Sequence, residues 1–222
     1  MRLLYHHPLL ASARKVRLAL HEKRLFFEEK ISLPWEREEA ILRLNPAGEM
    51  PVLVDEDGTT VFDPVTICEY LEEVYPEPAL IRGTPAERAE ARRLAAWFDH
   101  KFQREVIQHL VVEKLVKRAM ANHAPDSRAL KVGRDFLVTH LQYIGELTEQ
   151  RGWVAGSALT LADLAAAANI SLVDYCGDVP WESYPAAKEW YVRIKSRPSF
   201  RSLLRDVVPG IPPAPIYADL DF

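Results

Sequence analysis

A proline-rich stretch, YPEPALIRGTP at residues 75–85, divides the chain into two parts with different hydrophobic patterns. Such a stretch is typical of a linker, because proline cannot continue a helix and glycine favours turns. Before it, short apolar runs alternate with helical patterns; after it, the pattern is helical almost throughout. We therefore predict an α/β domain at residues 1–77, an all-helical domain at 86–208 and an extended, proline-rich tail at 209–222.

The hydrophobic pattern of residues 1–77 predicts the element order β-α-β-α-β-β-α. RLLYH at residues 2–6 is the first strand, and PVLV-DEDG-TTVF at 51–62 is a hairpin in which Gly58 supplies the positive φ of the turn. Asp63 is expected to cap a helix that begins at Pro64, since proline is favoured at the first helical position. This order predicts a mixed sheet with helices packed on it.

The first helix and the composition narrow the class of protein further. The segment ARKVRLALHEKR at 13–24 predicts a helix with one apolar face among basic residues.

No apolar run approaches the roughly 18 residues of a membrane span, and the N-terminus lacks the layout of a signal peptide. Two cysteines form neither a disulfide framework nor a zinc site, and adjacent His6 and His7 would point to opposite faces of a strand. A formal charge of −4 gives no sign of nucleic-acid binding. We predict a cytoplasmic protein without a metal ion.

NPAGEMPVL at 45–53 has the pattern Asn-Pro-x-Gly-x-x-Pro-x-Leu. GWVAGSALTLADLAAA at 152–167 carries a capping box in which Thr160 and Asp163 each accept from the other's backbone amide. SRPSF follows at 196–200. In this order the three motifs resemble the glutathione S-transferase superfamily, in which the last of them belongs to the closing helix. The resemblance implies a thioredoxin-like N-terminal domain and an all-helical C-terminal domain.

The resemblance also implies a glutathione site, from which this sequence departs. In the family, the last proline of the first motif, here Pro51, is cis, and the residue before it, here Met50, offers its backbone to the ligand. A Glu/Gln-Ser pair opens the next helix and binds the γ-glutamyl carboxylate; here Asp63-Pro64 supplies neither the hydroxyl nor the N–H. The position that matches the catalytic Ser or Cys is Leu10. We therefore expect glutathione binding to be weak or absent, with no cofactor and no catalytic residue.

Two hydroxyl side chains keep an enzymatic alternative open. Tyr5 lies on the first strand, where some family members place a catalytic tyrosine, although we favour packing in the core as its role. Ser12 lies two residues after Leu10. The alternative is a glutathione-dependent transferase or isomerase that uses Tyr5 or Ser12, with Met50, Pro51 and Asp63 around the ligand. A binding module for another small molecule in the interdomain cleft is a third interpretation.

Two surface features point instead to a protein partner. Basic residues recur on the first helices of the second domain, either as a solvated face or as a surface for an acidic partner: Arg88, Arg92, Arg93, Lys101 and Arg104. The tail carries acidic and apolar residues and no Lys or Arg: Tyr217, Asp219, Leu220, Asp221 and Phe222. Disordered termini are usually poor in aromatic residues, so we expect the tail to dock on the helical domain or to contact a partner.

The tail YADLDF and the first turn without a catalytic residue together resemble one branch of the family, the FtsZ-binding cell division proteins of alphaproteobacteria. This resemblance implies a homodimer that binds FtsZ filaments at the division site, bundles and curves them, and regulates constriction. We expect the filament-binding surface to combine the basic helices with the tail.

Overall fold

The α/β part of the chain forms one mixed sheet flanked by helices. The structure is a computed structural model that describes residues 1–121 and 124–220. The first elements are β1 (Arg2–His6), α1 (Ala11–Glu22), β2 (Phe27–Ile31), α2 (Glu39–Leu44), β3 (Val52–Val54), β4 (Thr60–Phe62) and α3 (Pro64–Val74). The strand order is β2-β1-β3-β4, with β1 parallel to β2 and antiparallel to β3. The predicted element order and mixed sheet are confirmed.

Local signals place the ends of these elements. The peptide bond between Met50 and Pro51 is cis, as the resemblance implied, and Gly58 has φ of 88° in the hairpin turn. The sequence from Trp35 to Arg43 predicts a short polar helix, but the second helix begins only at Glu39. Arg37 explains the difference: its φ of 48° is left-handed, and an α-helix cannot run through such a residue.

The second part of the chain is helical. Its elements are α4 (Pro85–Ala96), two π-helical segments (Trp97–Ile107 and Val112–Val116), α5 (Lys117–Ala121), α6 (Ser127–Arg151), α7 (Leu161–Tyr175), α8 (Pro185–Lys195) and α9 (Arg201–Leu204). Every residue of α7 is buried, and both α1 and α4 pack against it, so this helix joins the two domains. None of the described helices has the length and apolar character needed to cross a membrane.

The predicted capping box at the start of α7 is present and buried. Asp163 Oδ2 accepts from the Thr160 backbone N (2.9 Å) and hydroxyl (3.0 Å). Asp163 Oδ1 accepts from Val154 N (2.9 Å) and from Trp190 Nε1 (3.0 Å). Burial raises the pKa of this carboxyl, although all these donors favour its ionised form. One side chain therefore joins the loop before α7, the helix itself and α8.

The first helix buries its basic residues as well as the predicted apolar face. Arg14, Lys15 and Arg17 are almost fully enclosed, since α1 packs against both α7 and α3. Each guanidinium or ammonium meets a carboxylate from elsewhere in the chain: Lys15 Nζ lies 2.5 Å from Asp99, and Arg17 Nη1 lies 2.7 Å from Asp206. The charges of α1 therefore connect the two domains.

The tail is docked on the helical domain as far as it is described. We predicted an extended segment without helix, but residues Pro215–Ala218 form one 3₁₀ turn. Proline is compatible with the start of such a turn, where its missing N–H leaves no bond unmade. The Tyr217 side chain is 0% exposed; its hydroxyl accepts from Arg14 Nη1 (2.9 Å) and donates to the Leu203 carbonyl (2.9 Å).

Candidate functional site

A cleft of about 710 Å³ lies between the two domains, where the family resemblance implied a ligand site. Its N-terminal wall comes from the start of α1, from the turn before Pro51 and from the start of α3. Its helical wall comes mainly from the π-helical segments and their junction: Asp99, His100, Gln103, Ile107, Gln108, Val111, Val112 and Val116. The cleft is therefore bounded by both domains.

The start of α1 presents an apolar side chain to the cleft, at the position where the family resemblance implied a nucleophile. Leu10 precedes the helix in an extended conformation, gives no side-chain cap and lines the cleft. Ser12 lies in the first turn and also lines the cleft. The first amides of a helix have no partner within it, so they favour negative charge nearby. The Ser12 hydroxyl could therefore contact a ligand in the cleft beside the first turn of α1.

Tyr5 occupies a different place. In β1, Leu4 and His6 are buried, whereas Tyr5 points to the opposite face and is half-buried. Tyr5 is not among the described residues that line the cleft. The structure therefore brings Ser12, Met50 and Asp63 to the cleft and leaves Tyr5 outside it.

At the start of α3, a carboxylate of the chain itself occupies the helix amides. Asp63 Oδ1 accepts from Val65 N (2.8 Å) and Thr66 N (3.0 Å), and Pro64 fills the first helical position. Asp63 adopts φ of 72°, a left-handed conformation that is uncommon outside glycine. The amides that could hold an anionic ligand at this helix are therefore already satisfied.

Thiol and metal chemistry have little support in the described residues. Burial raises the pKa of Cys68 to about 12, and it does the same for Cys176. A thiol with such a pKa carries almost no thiolate at neutral pH and is a poor nucleophile. Between residues 1 and 121 and between 124 and 220, no three His, Cys, Asp or Glu side chains are grouped to hold a metal ion.

Asn169 is a cleft residue that sequence reasoning missed. Its side chain is 2% exposed, and its Nδ2 donates to the Ala165 carbonyl at 2.9 Å. Its Oδ1 is buried and has no hydrogen-bond partner among the described residues, yet the residue lines the cleft. The available signal was a lone asparagine in the apolar run LAAAANISL of α7.

The predicted basic surface is partly used within the chain. Arg92 makes a bidentate pair with Glu69 of α3 at 2.8 and 2.9 Å, which joins the two domains. Arg93 pairs with Glu90, and Lys101 pairs with Glu105 one turn later. The remaining two predicted residues, Arg88 and Arg104, are exposed, and within the described part of the chain neither forms an ion pair.

The predicted tail residues divide between the core and the surface. Tyr217 is buried and anchors the tail, whereas Asp219 and Leu220 are exposed, the latter by 40%. Asp221 and Phe222 lie outside the described residues. The described tail thus presents an acidic and an apolar side chain next to its buried anchor.

Comparison with known proteins identifies the family. The model for the glutathione S-transferase N-terminal domain matches residues 11–74, and that for the glutathione S-transferase C-terminal domain matches residues 114–198. A glutathione S-transferase from Rhodospirillum rubrum F11 has a solved structure with 58% sequence identity and a TM-score of 0.98, with both chains fully covered.

A second relative is similar along the whole chain. FtsZ-localized protein A of Caulobacter vibrioides is 49% identical over 224 residues, which cover 100% of this chain and 98% of that protein. The solved structure of FzlA from C. crescentus shares 49% identity with a TM-score of 0.97, covering 100% of this chain and 99% of the other. The two family models and these full-length relatives show that the chain belongs to the glutathione S-transferase family.

Proposed function

We propose that this chain is a cell division protein that binds FtsZ filaments as a homodimer and bundles or curves them at the division site. The observation that carries this proposal is the 49% identity to FtsZ-localized protein A along the full length of both proteins. A dimer offers two equivalent filament sites on one rigid body, so it can cross-link filaments and gain avidity.

The cleft supports a function without catalysis. Leu10 stands where a nucleophile would be needed, and a leucine side chain can neither donate a hydrogen bond nor exchange a proton. Asp63 occupies the amides at the start of α3 and adds a negative charge there. Both features oppose the binding and activation of glutathione, which carries carboxylates and reacts through its thiol.

Ion pairing within the chain narrows the proposed filament-binding surface. Neutralising Arg92 would remove the contact with Glu69 between the domains, so a loss of binding in such a variant would be ambiguous. Arg88 and Arg104 are exposed, and although Arg88 also attracts Glu69, neither forms an ion pair in the described part of the chain. We therefore place the filament contact on Arg88 and Arg104 together with the exposed tail around Leu220.

Co-sedimentation with polymerised FtsZ tests this proposal. We expect the purified protein to pellet with filaments, and the double variant Arg88→Gln/Arg104→Gln to bind roughly 2–30-fold more weakly, since each exposed charge pair contributes about 0.2–1 kcal/mol. The defect should be larger at low salt, where surface charges are screened less. The matched control is Lys30→Gln/Arg43→Gln, which removes the same charge from exposed positions of the N-terminal domain.

Distinct outcomes bear on distinct parts of the proposal. If the parent protein stays in the supernatant at micromolar filament concentrations, the proposal that it binds FtsZ is wrong. Equal losses in the two double variants would contradict the placement of the surface but leave binding intact. A monomer by analytical ultracentrifugation at concentrations that bundle filaments would remove the cross-linking mechanism.

A glutathione-dependent transferase or isomerase is the second candidate, and Ser12 favours it. Its hydroxyl lies in the first turn of α1, beside helix amides that could stabilise a thiolate in the open cleft. The similar protein from Rhodospirillum rubrum F11 also carries the name glutathione S-transferase. Tyr5, the other candidate, is not at the cleft.

Isothermal titration with reduced glutathione separates the two candidates. We expect millimolar or absent binding, because the start of α3 lacks the serine donors and holds the Asp63 carboxylate. The variant Asp63→Gln/Pro64→Ser should gain tenfold or more in affinity, since each hydrogen bond to a charged group is worth about 1.5–3 kcal/mol. Micromolar binding by the parent protein would favour the enzyme, and activity assays of Ser12→Ala and Tyr5→Phe would then identify the hydroxyl.

A further inference from the structure

The strand β2 forms an outer edge of the sheet. In the described part of the chain its only strand neighbour is β1, and their pairing runs from Phe27 to Ile31 without a bulge or a proline. The opposite edge, β4, has three residues, whereas β2 has five. Proteins usually shorten, bend or cover such an edge, because its unpaired amides can accept another strand. β2 is not covered in this way, since Glu29, Lys30 and Ile31 are exposed, and it is open to a further strand.

The register of β2 on β1 shows which backbone groups face outward. Ile31 lies opposite His6, and the Ser32 N–H donates to the His6 carbonyl at 3.0 Å. In a parallel ladder the residues on either side of Ile31 therefore bind to β1, while Ile31 directs its own N–H and carbonyl away from β1. The pattern alternates along the strand, so Phe27, Glu29 and Ile31 carry the outward groups. This spacing of every second residue matches the hydrogen-bonded positions of an antiparallel partner.

The side chains of β2 are complementary to those of a second β2 that runs in the opposite direction. On a twofold axis through Glu29, Glu28 of each copy lies opposite Lys30 of the other, and opposite charges at such positions stabilise a strand pair. The same register sets Phe27 opposite Ile31, whose side chain is 63% exposed. An axis through Glu28 or through Lys30 would instead set like charges opposite each other. The charges of the strand therefore favour the axis through Glu29.

The one pair of like charges in this register is neutralised within each copy. Glu29 would lie opposite Glu29 of the second copy, with their Cα atoms about 5.5 Å apart as in other hydrogen-bonded pairs. Its carboxylate lies 2.5 Å from Arg17 Nε, and Arg17 Nη1 lies 2.7 Å from Asp206, which Arg14 also approaches. Two guanidinium groups thus balance two carboxylates beside the edge, so the Glu29 pair opposes this register less than two free carboxylates would.

We propose that the outer edge of β2 pairs antiparallel with β2 of a second copy of this chain, on a twofold axis through Glu29, so that the two sheets become continuous. The contact is isologous, because the same residues contribute from both sides. Two five-residue strands bury less than the roughly 1,200 Å² of a stable interface, so the pairing has a dissociation constant of about 0.1–1 mM. It does not depend on FtsZ binding, and it contributes little at the micromolar concentrations of a co-sedimentation assay.

Disulfide trapping tests the pairing and its register on the full chain without FtsZ. Glu28→Cys and Lys30→Cys proteins, one of them isotope-labelled, would be mixed at near-millimolar concentration and oxidised, and intact mass spectrometry would count the products. Opposed positions without hydrogen bonds have Cα atoms about 4.5 Å apart, within the range of a disulfide, whereas the two copies of position 28 lie on a diagonal about 7–8 Å apart. We expect about fivefold more of the mixed disulfide than of either symmetric one.

Two features of the chain keep this measurement specific. Burial raises the pKa of Cys68 and of Cys176 to about 12, so the native thiols compete little with an exposed cysteine. The matched control mixes Glu39→Cys with Arg43→Cys, which replaces an exposed pair of opposite charges on α2. We expect only random pairing in that mixture. A mixed disulfide at positions 28 and 30 that is no more abundant than in this control would overturn the proposal.

Charge reversal supplies a second measurement that uses no disulfide. Glu28→Lys alone and Lys30→Glu alone each set like charges opposite one another, whereas an equal mixture of the two proteins restores both opposite pairs. By sedimentation equilibrium, we expect each variant alone to self-associate about threefold or more weakly than the parent, and the mixture to regain the parent's association. Equal association of the single variants and their mixture would overturn the pairing. Trapping that succeeds in a protein without affinity for FtsZ would support the strand pairing and contradict only the proposed function.

Discussion

Replacing Asp163 with alanine is expected to lower the free energy of unfolding by about 3–5 kcal/mol, because several buried donors lose their acceptor and each unsatisfied buried group costs about 1–3 kcal/mol. The carboxylate accepts hydrogen bonds from Val154 N, Thr160 N, the Thr160 hydroxyl and Trp190 Nε1, all within 3.0 Å. Without it, these donors are buried with no acceptor in reach. Urea unfolding followed by circular dichroism would measure the change.

An exposed cap provides the matched control for this prediction. Asp126 caps α6 by accepting from Arg128 N at 2.8 Å, but it lies at the surface, where water can replace it. Asp126→Ala should therefore cost only about 1 kcal/mol. Similar losses in Asp126→Ala and Asp163→Ala would show that burial and the bond to Trp190 add nothing, contrary to our interpretation of the network.

Features that depend on near neighbours in the chain were predictable from the sequence. The capping box of Thr160 and Asp163, the turn at Gly58 and the helix start at Pro64 each involve residues within three or four positions. Their physical causes are hydrogen bonds to nearby amides and the allowed range of φ, and both are properties of the local sequence.

Features that depend on distant partners were not predictable. The sequence of α1 predicts one apolar face among basic residues and gives no sign that Arg14 is buried against Tyr217, which lies 203 residues away. Likewise, nothing near Arg92 in the sequence shows that Glu69 of the other domain will pair with it. The role of Asn169 depends on an oxygen left without a donor, and only the packed structure reveals that.

Replacing Arg14 is expected to cause a second large loss of stability, because its side chain joins the tail to both domains. Its Nε donates to the Pro8 carbonyl (2.8 Å), and its Nη1 donates to the Ser171 hydroxyl and the Tyr217 hydroxyl (both 2.9 Å). Nη2 lies 3.4 Å from Asp206. Arg14→Met keeps much of the volume but leaves these buried acceptors without their donor, so we expect a loss of about 3–5 kcal/mol in unfolding free energy.

A smaller change separates the tail from the rest of this network. Tyr217→Phe removes only the hydroxyl that bridges Arg14 and the Leu203 carbonyl, and should cost about 1–3 kcal/mol. Limited proteolysis should then cleave the tail after Val208 faster than in the parent protein, since local opening becomes easier. An Arg14→Met protein with unchanged stability and an unchanged proteolysis rate would contradict the anchoring role.

The same variants connect the anchor to the proposed partner. If the docked tail presents Leu220 to FtsZ filaments, Tyr217→Phe should weaken co-sedimentation although no filament contact has been removed, because the partner must then also order the tail. Leu220→Asp should weaken it by removing the contact itself while leaving proteolysis of the tail unchanged. The alternative result is that the Tyr217→Phe variant binds filaments as tightly as the parent protein while its tail is cleaved faster. That result would place the filament contact on the basic helices alone.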